Sequence, residues 1–125
     1  MKKLLIVDDE PEIVEFLSSF FLERGEYEVS TASSVEEAID MIAQKKPDMI
    51  LQDLKMRGNK GGGFEVLTKA KEISPLSKVI MVTAVEDQAS ISEALKLGAV
   101  DYITKPLSLE YLENTVIEKL KEAAN

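Results

Sequence analysis

The sequence predicts an α/β fold, a doubly wound parallel sheet of five strands with helices on both faces. Two observations carry this expectation. Five short apolar runs alternate with five amphipathic stretches along the 125 residues. The runs are apolar almost throughout, as suits strands buried on both faces. Right-handed crossovers then favour an open sheet, and five strands are too few for an eight-stranded barrel.

The elements follow in order. Lys3–Val7 is the first strand. Asp9–Glu23 is a helix with Ile13, Phe16, Leu17, Phe20 and Phe21 on one face; Pro11 and the acids Asp9, Glu10 and Glu12 suit its start, and Gly25 its end. Tyr27–Ala32 is the second strand. Ser33 and Ser34, each with a Glu three residues on, announce a helix that turns Val35, Ala38, Ile39 and Ile42 inward and closes before Pro47. Met49–Leu54 is the third strand and runs into the glycine-rich Gly58–Gly63, read as a loop. The next helix, Phe64–Ile73, points Phe64, Leu67 and Ala70 inward and is broken by Pro75. Lys78–Thr83 is the fourth strand. Gln88–Leu97 is a helix with Ile91, Ala94 and Leu95 together and Gly98 as its cap. Val100–Thr104 is the last strand. Ser108 caps the final helix, striped by Leu109, Leu112, Val116 and Leu120, with Leu107 and Leu112 at staple positions.

Composition narrows the function. The chain has no Cys and no His, which excludes thiolate chemistry, disulfides, the usual zinc sites and serine–histidine catalysis. A formal net charge of −8 opposes nucleic-acid phosphate. No apolar run reaches membrane-spanning length, and the pair Lys2–Lys3 precedes too short a run for a signal peptide. Cytoplasmic residence, one domain over residues 1–125, and no direct nucleic-acid or membrane partner are the expectations.

In an open α/β sheet, ligands bind beyond the carboxyl ends of the strands. Those ends carry Asp8 and Asp9, then Asp53, then Thr83, then Lys105 with Pro106. Each has an ordinary reading as a capping acid, a loop acid, a strand end or a surface charge. Convergence of all of them at one edge is harder to dismiss. Clustered carboxylates repel and call for a cation, and oxygen-only ligands select a hard ion, in practice Mg²⁺. Lys105 adds a positive charge and Thr83 a hydroxyl donor. Metal, cation and donor are the parts that phosphoryl transfer needs. With no Cys or His and no base beside Thr83, the nucleophile is a carboxylate.

Over nearly its whole length the sequence resembles the response-regulator receiver family of bacterial two-component systems. The motifs are VDDEP at 7–11, QDLKM at 52–56, VTA at 82–84 and DYITKP at 101–106. The resemblance implies a flavodoxin-like fold with strand order 2-1-3-4-5. It implies Asp53 as phosphoacceptor, with Thr83 and Lys105 contacting the phosphoryl group. Asp8, Asp9, Asp53 and the backbone carbonyl of Lys55 would hold Mg²⁺. Thr83 and Tyr102 would form the switch pair, and the Lys105–Pro106 bond would be cis. A sensor histidine kinase or phosphotransfer protein would be the donor. An output domain, a downstream protein or a second phosphorylated copy would read the helix 4, strand 5 and helix 5 face. Such a chain is not an enzyme acting on an outside substrate; it catalyses its own phosphorylation and dephosphorylation.

Three features depart from the pattern. Arg57 stands where the family usually has Pro, the stretch from Asp53 to Gly63 is about two residues longer than the family's common form, and Gln52 puts an amide in a buried strand. The glycines do not make a phosphate loop, since no Lys-Ser/Thr follows them. Other readings fit less well. An aspartyl phosphohydrolase wants a cap domain, a flavin module wants a hydroxyl-rich loop where Asp8–Asp9–Glu10 stands, and a degenerate docking module would not keep the full acid set.

Overall fold

The computed structural model describes residues 1–57, 62–83 and 88–124. Strands β1 (Lys2–Val7), β2 (Tyr27–Ala32), β3 (Met49–Asp53), β4 (Lys78–Thr83) and β5 (Asp101–Thr104) form one parallel sheet in the order β2-β1-β3-β4-β5. This is the expected order. It places β1 and β3 side by side in the centre, so the chain reverses direction across the sheet at their carboxyl ends.

The helices divide between the two faces. Helices α1 (Pro11–Arg24) and α5 (residues 109–124) cover one, burying Leu17, Phe20, Phe21, Leu112, Val116, Ile117 and Leu120 against Leu4, Ile6, Leu51, Ile80, Val82 and Ile103. Helices α2 (Val35–Lys45), α3 (Gly62–Ile73) and α4 (Gln88–Lys96) cover the other, against Leu5, Val7, Ile50, Val79 and Met81. Alternate strand residues feed the two cores, as the pleat requires. Phe21 is fully buried, with edge-on ring contacts to Phe20 at 5.0 Å and Tyr27 at 5.6 Å.

Helix ends follow the sequence signals with informative differences. Pro11 is the first residue of α1, and Gly25 ends the helix at φ 71° with its N–H on the Leu22 carbonyl. At α2 the working cap is Ser34, whose Oγ accepts from the Glu37 N–H at 3.1 Å. Glu37 reaches back past it to the Ser33 N–H at 2.6 Å. Ser108 caps α5 by accepting from the Tyr111 N–H at 3.0 Å. That helix runs as Leu109–Tyr111, widens into a π-helical turn over Leu112–Val116 and resumes as Ile117–Ala124.

Four apolar expectations are corrected. Phe16 is 37% exposed because the inward stripe of α1 is narrow, and Phe16 lies at its margin. Leu95 and Leu109 are exposed, the one at the margin of the inward stripe of α4, the other in the first turn of α5. Val100 is exposed and precedes β5. Phe64, half-buried, does pack against the core as expected, and Val66 takes a further core place beside Leu67 and Ala70.

Gly62 and Gly63, read as loop, begin α3. A Cβ on Gly63 would stand 2.5 Å from the Asp53 carbonyl oxygen and 2.8 Å from Leu54 Cα. Glycine here lets the helix start pack directly on the end of β3. The preceding Gly58–Gly61 of the expected loop lie outside the described residues.

The outer edge of β5 is closed by side chains. Asp101 Oδ1 accepts from the Tyr102 N–H at 2.8 Å, Lys119 Nζ donates to the Tyr102 carbonyl, and the Thr104 N–H donates to the Tyr111 hydroxyl at 3.1 Å. These contacts occupy polar groups that an edge strand would otherwise offer to another chain.

Candidate functional site

Strand β1 delivers Asp8, β3 ends on Asp53 and β4 ends on Thr83, and all three are buried. Lys105 follows β5; its N–H donates to the Thr83 carbonyl at 2.7 Å, which fixes the start of its side chain beside β4. The Lys105–Pro106 peptide is cis, as expected. From there Lys105 Nζ reaches Asp8 Oδ2 at 3.1 Å, Asp53 Oδ1 at 3.5 Å and Glu10 Oε1 at 3.6 Å. One ammonium thus ties together the ends of β1, β3 and β5.

Asp8, Asp9 and Glu10 each offer a carboxylate oxygen, all within 4.8 Å of one another. Asp8 Oδ1 also accepts from the Glu10 N–H at 2.9 Å. Asp9 is turned by Arg57, whose N–H donates to Asp9 Oδ2 at 2.7 Å and whose Nε lies 3.8 Å from the same oxygen. Glu10 and Arg57 were not among the residues singled out for the site. Glu10 reads as a helix-start acid in the sequence, and only the turn after β1 swings it towards Lys105.

The electrostatics reflect crowding. Burial pushes the Asp53 carboxyl up to about 7, and the charges of Asp8 and Asp9 add to the rise while Lys105 opposes it. Burial also raises Asp8, against its bonds to Glu10 N–H and Lys105. Burial by itself would lower Lys105, but Asp53, Asp8 and Glu10 together outweigh it and raise its pKa. Four carboxylates against the half-buried Lys105 ammonium and the exposed Arg57 guanidinium still leave excess negative charge among oxygen donors. That donor set fits a hard divalent ion such as Mg²⁺. Lys55 is exposed just beyond β3.

Tyr102 is half-buried on β5. Lys119 Nζ lies 4.8 Å from its ring centroid and 3.2 Å from Asp101 Oδ1, so a cation from α5 holds both ring and backbone. Lys119 had no assigned role in the sequence, where it reads as a surface charge. Val85, which the family resemblance would set beside the water's approach to Asp53, lies outside the described residues.

Comparison with known proteins agrees with this geometry. The family model described as "Response regulator receiver domain" matches residues 4–117. The chain is 32% identical over 124 residues to sporulation initiation phosphotransferase F of Bacillus subtilis, covering 99% of this chain and 98% of that one. It is 40% identical over 107 residues to the alkaline phosphatase synthesis transcriptional regulatory protein PhoP of the same organism, covering 86% of this chain but only 43% of that protein. Among solved structures, the response regulator domain of Thermotoga maritima CheB superposes with a TM-score of 0.88 at 31% identity, over 100% of this chain and 97% of that one. No helix among the described residues is long and apolar enough to cross a membrane.

Proposed function

The chain belongs to the response regulator receiver domain family, and from that premise we propose that residues 1–125 act as one phosphorylation switch with Asp53 as the acceptor. The observation that carries the reading is Lys105 Nζ, held between Asp53 and the acid cluster. An Asp53 carboxylate oxygen attacks the phosphorus of a phosphohistidine. The new oxygen–phosphorus bond forms as the nitrogen–phosphorus bond breaks, and the electron pair leaves with the imidazole. Lys105 meets the phosphoryl oxygens, and Thr83 donates its hydroxyl to one of them. Asp8 and Asp9, with Asp53 and the Lys55 carbonyl, would hold Mg²⁺, which supplies charge neutralisation at the phosphoryl oxygens when bound.

The partners are a histidine kinase or phosphotransfer protein on one side. On the other is whatever reads α4, β5 and α5: an output domain, a separate protein or a second phosphorylated copy. Thr83 moving towards the phosphoryl group would let Tyr102 turn inward, away from Lys119, and so pass the state to that face. The expected setting is cytoplasmic.

Incubation with Mg²⁺ and acetyl phosphate tests the reading. Intact-mass measurement should find a single phosphoryl adduct on the native chain and none on Asp53→Asn. Equal adduct on both would remove Asp53 from the role.

A further inference from the structure

Gln52 is wholly buried at 0% exposure, in the centre of the sheet between Val7 of β1 and Met81 of β4. Its amide is half-satisfied: Nε2 donates to the Asp53 backbone carbonyl at 2.9 Å, and Oε1 has no partner among the described residues. A buried acceptor left unpaired works against stability, and an apolar side chain of similar volume would avoid it. Packing therefore does not account for a glutamine here. What the amide does is hold one group, the carbonyl of Asp53.

That carbonyl sits at a crowded junction. The Gly63 Cα packs against it so closely that a Cβ would come within 2.5 Å, and the Gly63 N–H donates to the next carbonyl, Leu54, at 2.9 Å. The Leu54 N–H is bound in turn to the Val82 carbonyl at 2.8 Å. The neighbouring Leu54 groups are thus fixed by backbone partners, whereas the Asp53 carbonyl is held by the Gln52 side-chain amide. Successive strand residues face opposite sides, so Gln52 acts from the α2–α3 face while the Asp53 carboxylate meets Lys105 at the strand end.

We propose that Gln52 is a positioning residue for the acceptor: its side-chain amide fixes the Asp53–Leu54 peptide and thereby the direction of the Asp53 carboxylate, at the expense of fold stability. The inference rests on Asp53 being the acceptor. It concerns orientation of the nucleophile, to which transfer rates are steeply sensitive.

The test is Gln52→Met, unbranched and close in length, with Gln52→Leu as a second apolar variant. Three quantities are read: the melting temperature without metal, the dissociation constant for Mg²⁺, and the maximal phosphorylation rate at saturating Mg²⁺ and acetyl phosphate. The melting temperature should rise by roughly 2–5 °C as the unpaired acceptor is removed. The maximal rate should fall about tenfold, with Mg²⁺ affinity within about twofold of the native protein, since the bond orients the nucleophile and leaves the Asp8–Asp9 ligands in place. An unchanged rate overturns the proposal. So does a lower rate accompanied by a lower melting temperature in both variants, which marks Gln52 as a structural residue only. If the native protein takes no phosphoryl group on Asp53, the acceptor reading itself has failed, and the inference falls with it.

Discussion

Replacing Asp53 by Asn should stabilise the metal-free protein near neutral pH, and the size follows from burial. The carboxyl stands at about 7 in the fold, against 3.8 for the ordinary group. A raised acid binds its proton more tightly in the folded than in the unfolded chain. Its favourable contribution is therefore complete below pH 4 or so, falls as pH rises through the interval up to the folded value, and is lost above it. At about 1.4 kcal/mol per pKa unit, a rise of this size corresponds to roughly 4 kcal/mol. Asp53 shares its charge interactions with Asp8 and Lys105, so the single substitution should recover about 2–4 kcal/mol at pH 8. Urea unfolding in chelator at pH 5 and pH 8 measures it. The native protein should weaken between the two, and Asp53→Asn should weaken much less, with a residue of the effect left to Asp8, which is raised by burial too. Identical loss in both proteins would refute the argument that ionised Asp53 is held in the pocket against its preference.

Other consequences are open to direct measurement. Asp9→Ala should weaken Mg²⁺ binding in a calorimetric titration, whereas Arg57→Pro, which removes the N–H now bound to Asp9, should tighten it by about 2–5-fold; no change in either would dissociate Asp9 from the metal. Gly63→Ala should cost about 1–3 kcal/mol in urea unfolding, because its Cβ would meet backbone atoms that cannot yield. A stability equal to the native protein would show that the α3–β3 junction is looser than described. Adding beryllofluoride, a phosphoryl mimic, should move amide resonances from Asp53 through Thr83 to Tyr102 and on to Lys119, whose ammonium now lies over the Tyr102 ring; shifts confined to the acid pocket would leave a metal site without a switch.

The fold was legible because its signals are local. Buried strands read as apolar runs, Ser34, Gly25, Pro11 and Ser108 mark helix ends with their own hydrogen-bonding or backbone preferences, and the strand-end residues Asp8, Asp53, Thr83 and Lys105 could be placed once the topology was known. What escaped the sequence depends on partners distant along the chain. Arg57 finds Asp9 across 48 positions, and Lys119 finds Asp101 across 18, pairings that no spacing pattern announces. Gly63 reads as one more loop glycine until the Asp53 carbonyl is seen against it. Phe16 and Leu95 belong to the helical periodicity but lie at the margin of stripes whose width is set by how each helix tilts on the sheet, a tertiary property.

The central claim is that the β3 carboxylate becomes a mixed anhydride with phosphate. Borohydride reduces an acyl phosphate to the alcohol, so treatment of the phosphorylated chain should convert one aspartate to homoserine. Peptide mapping by tandem mass spectrometry then locates it. We predict homoserine at position 53, in the segment Gln52–Met56, and its absence when Mg²⁺ is omitted. Homoserine at position 8 or 9 instead, or no conversion with an adduct still present on the intact chain, would contradict the account.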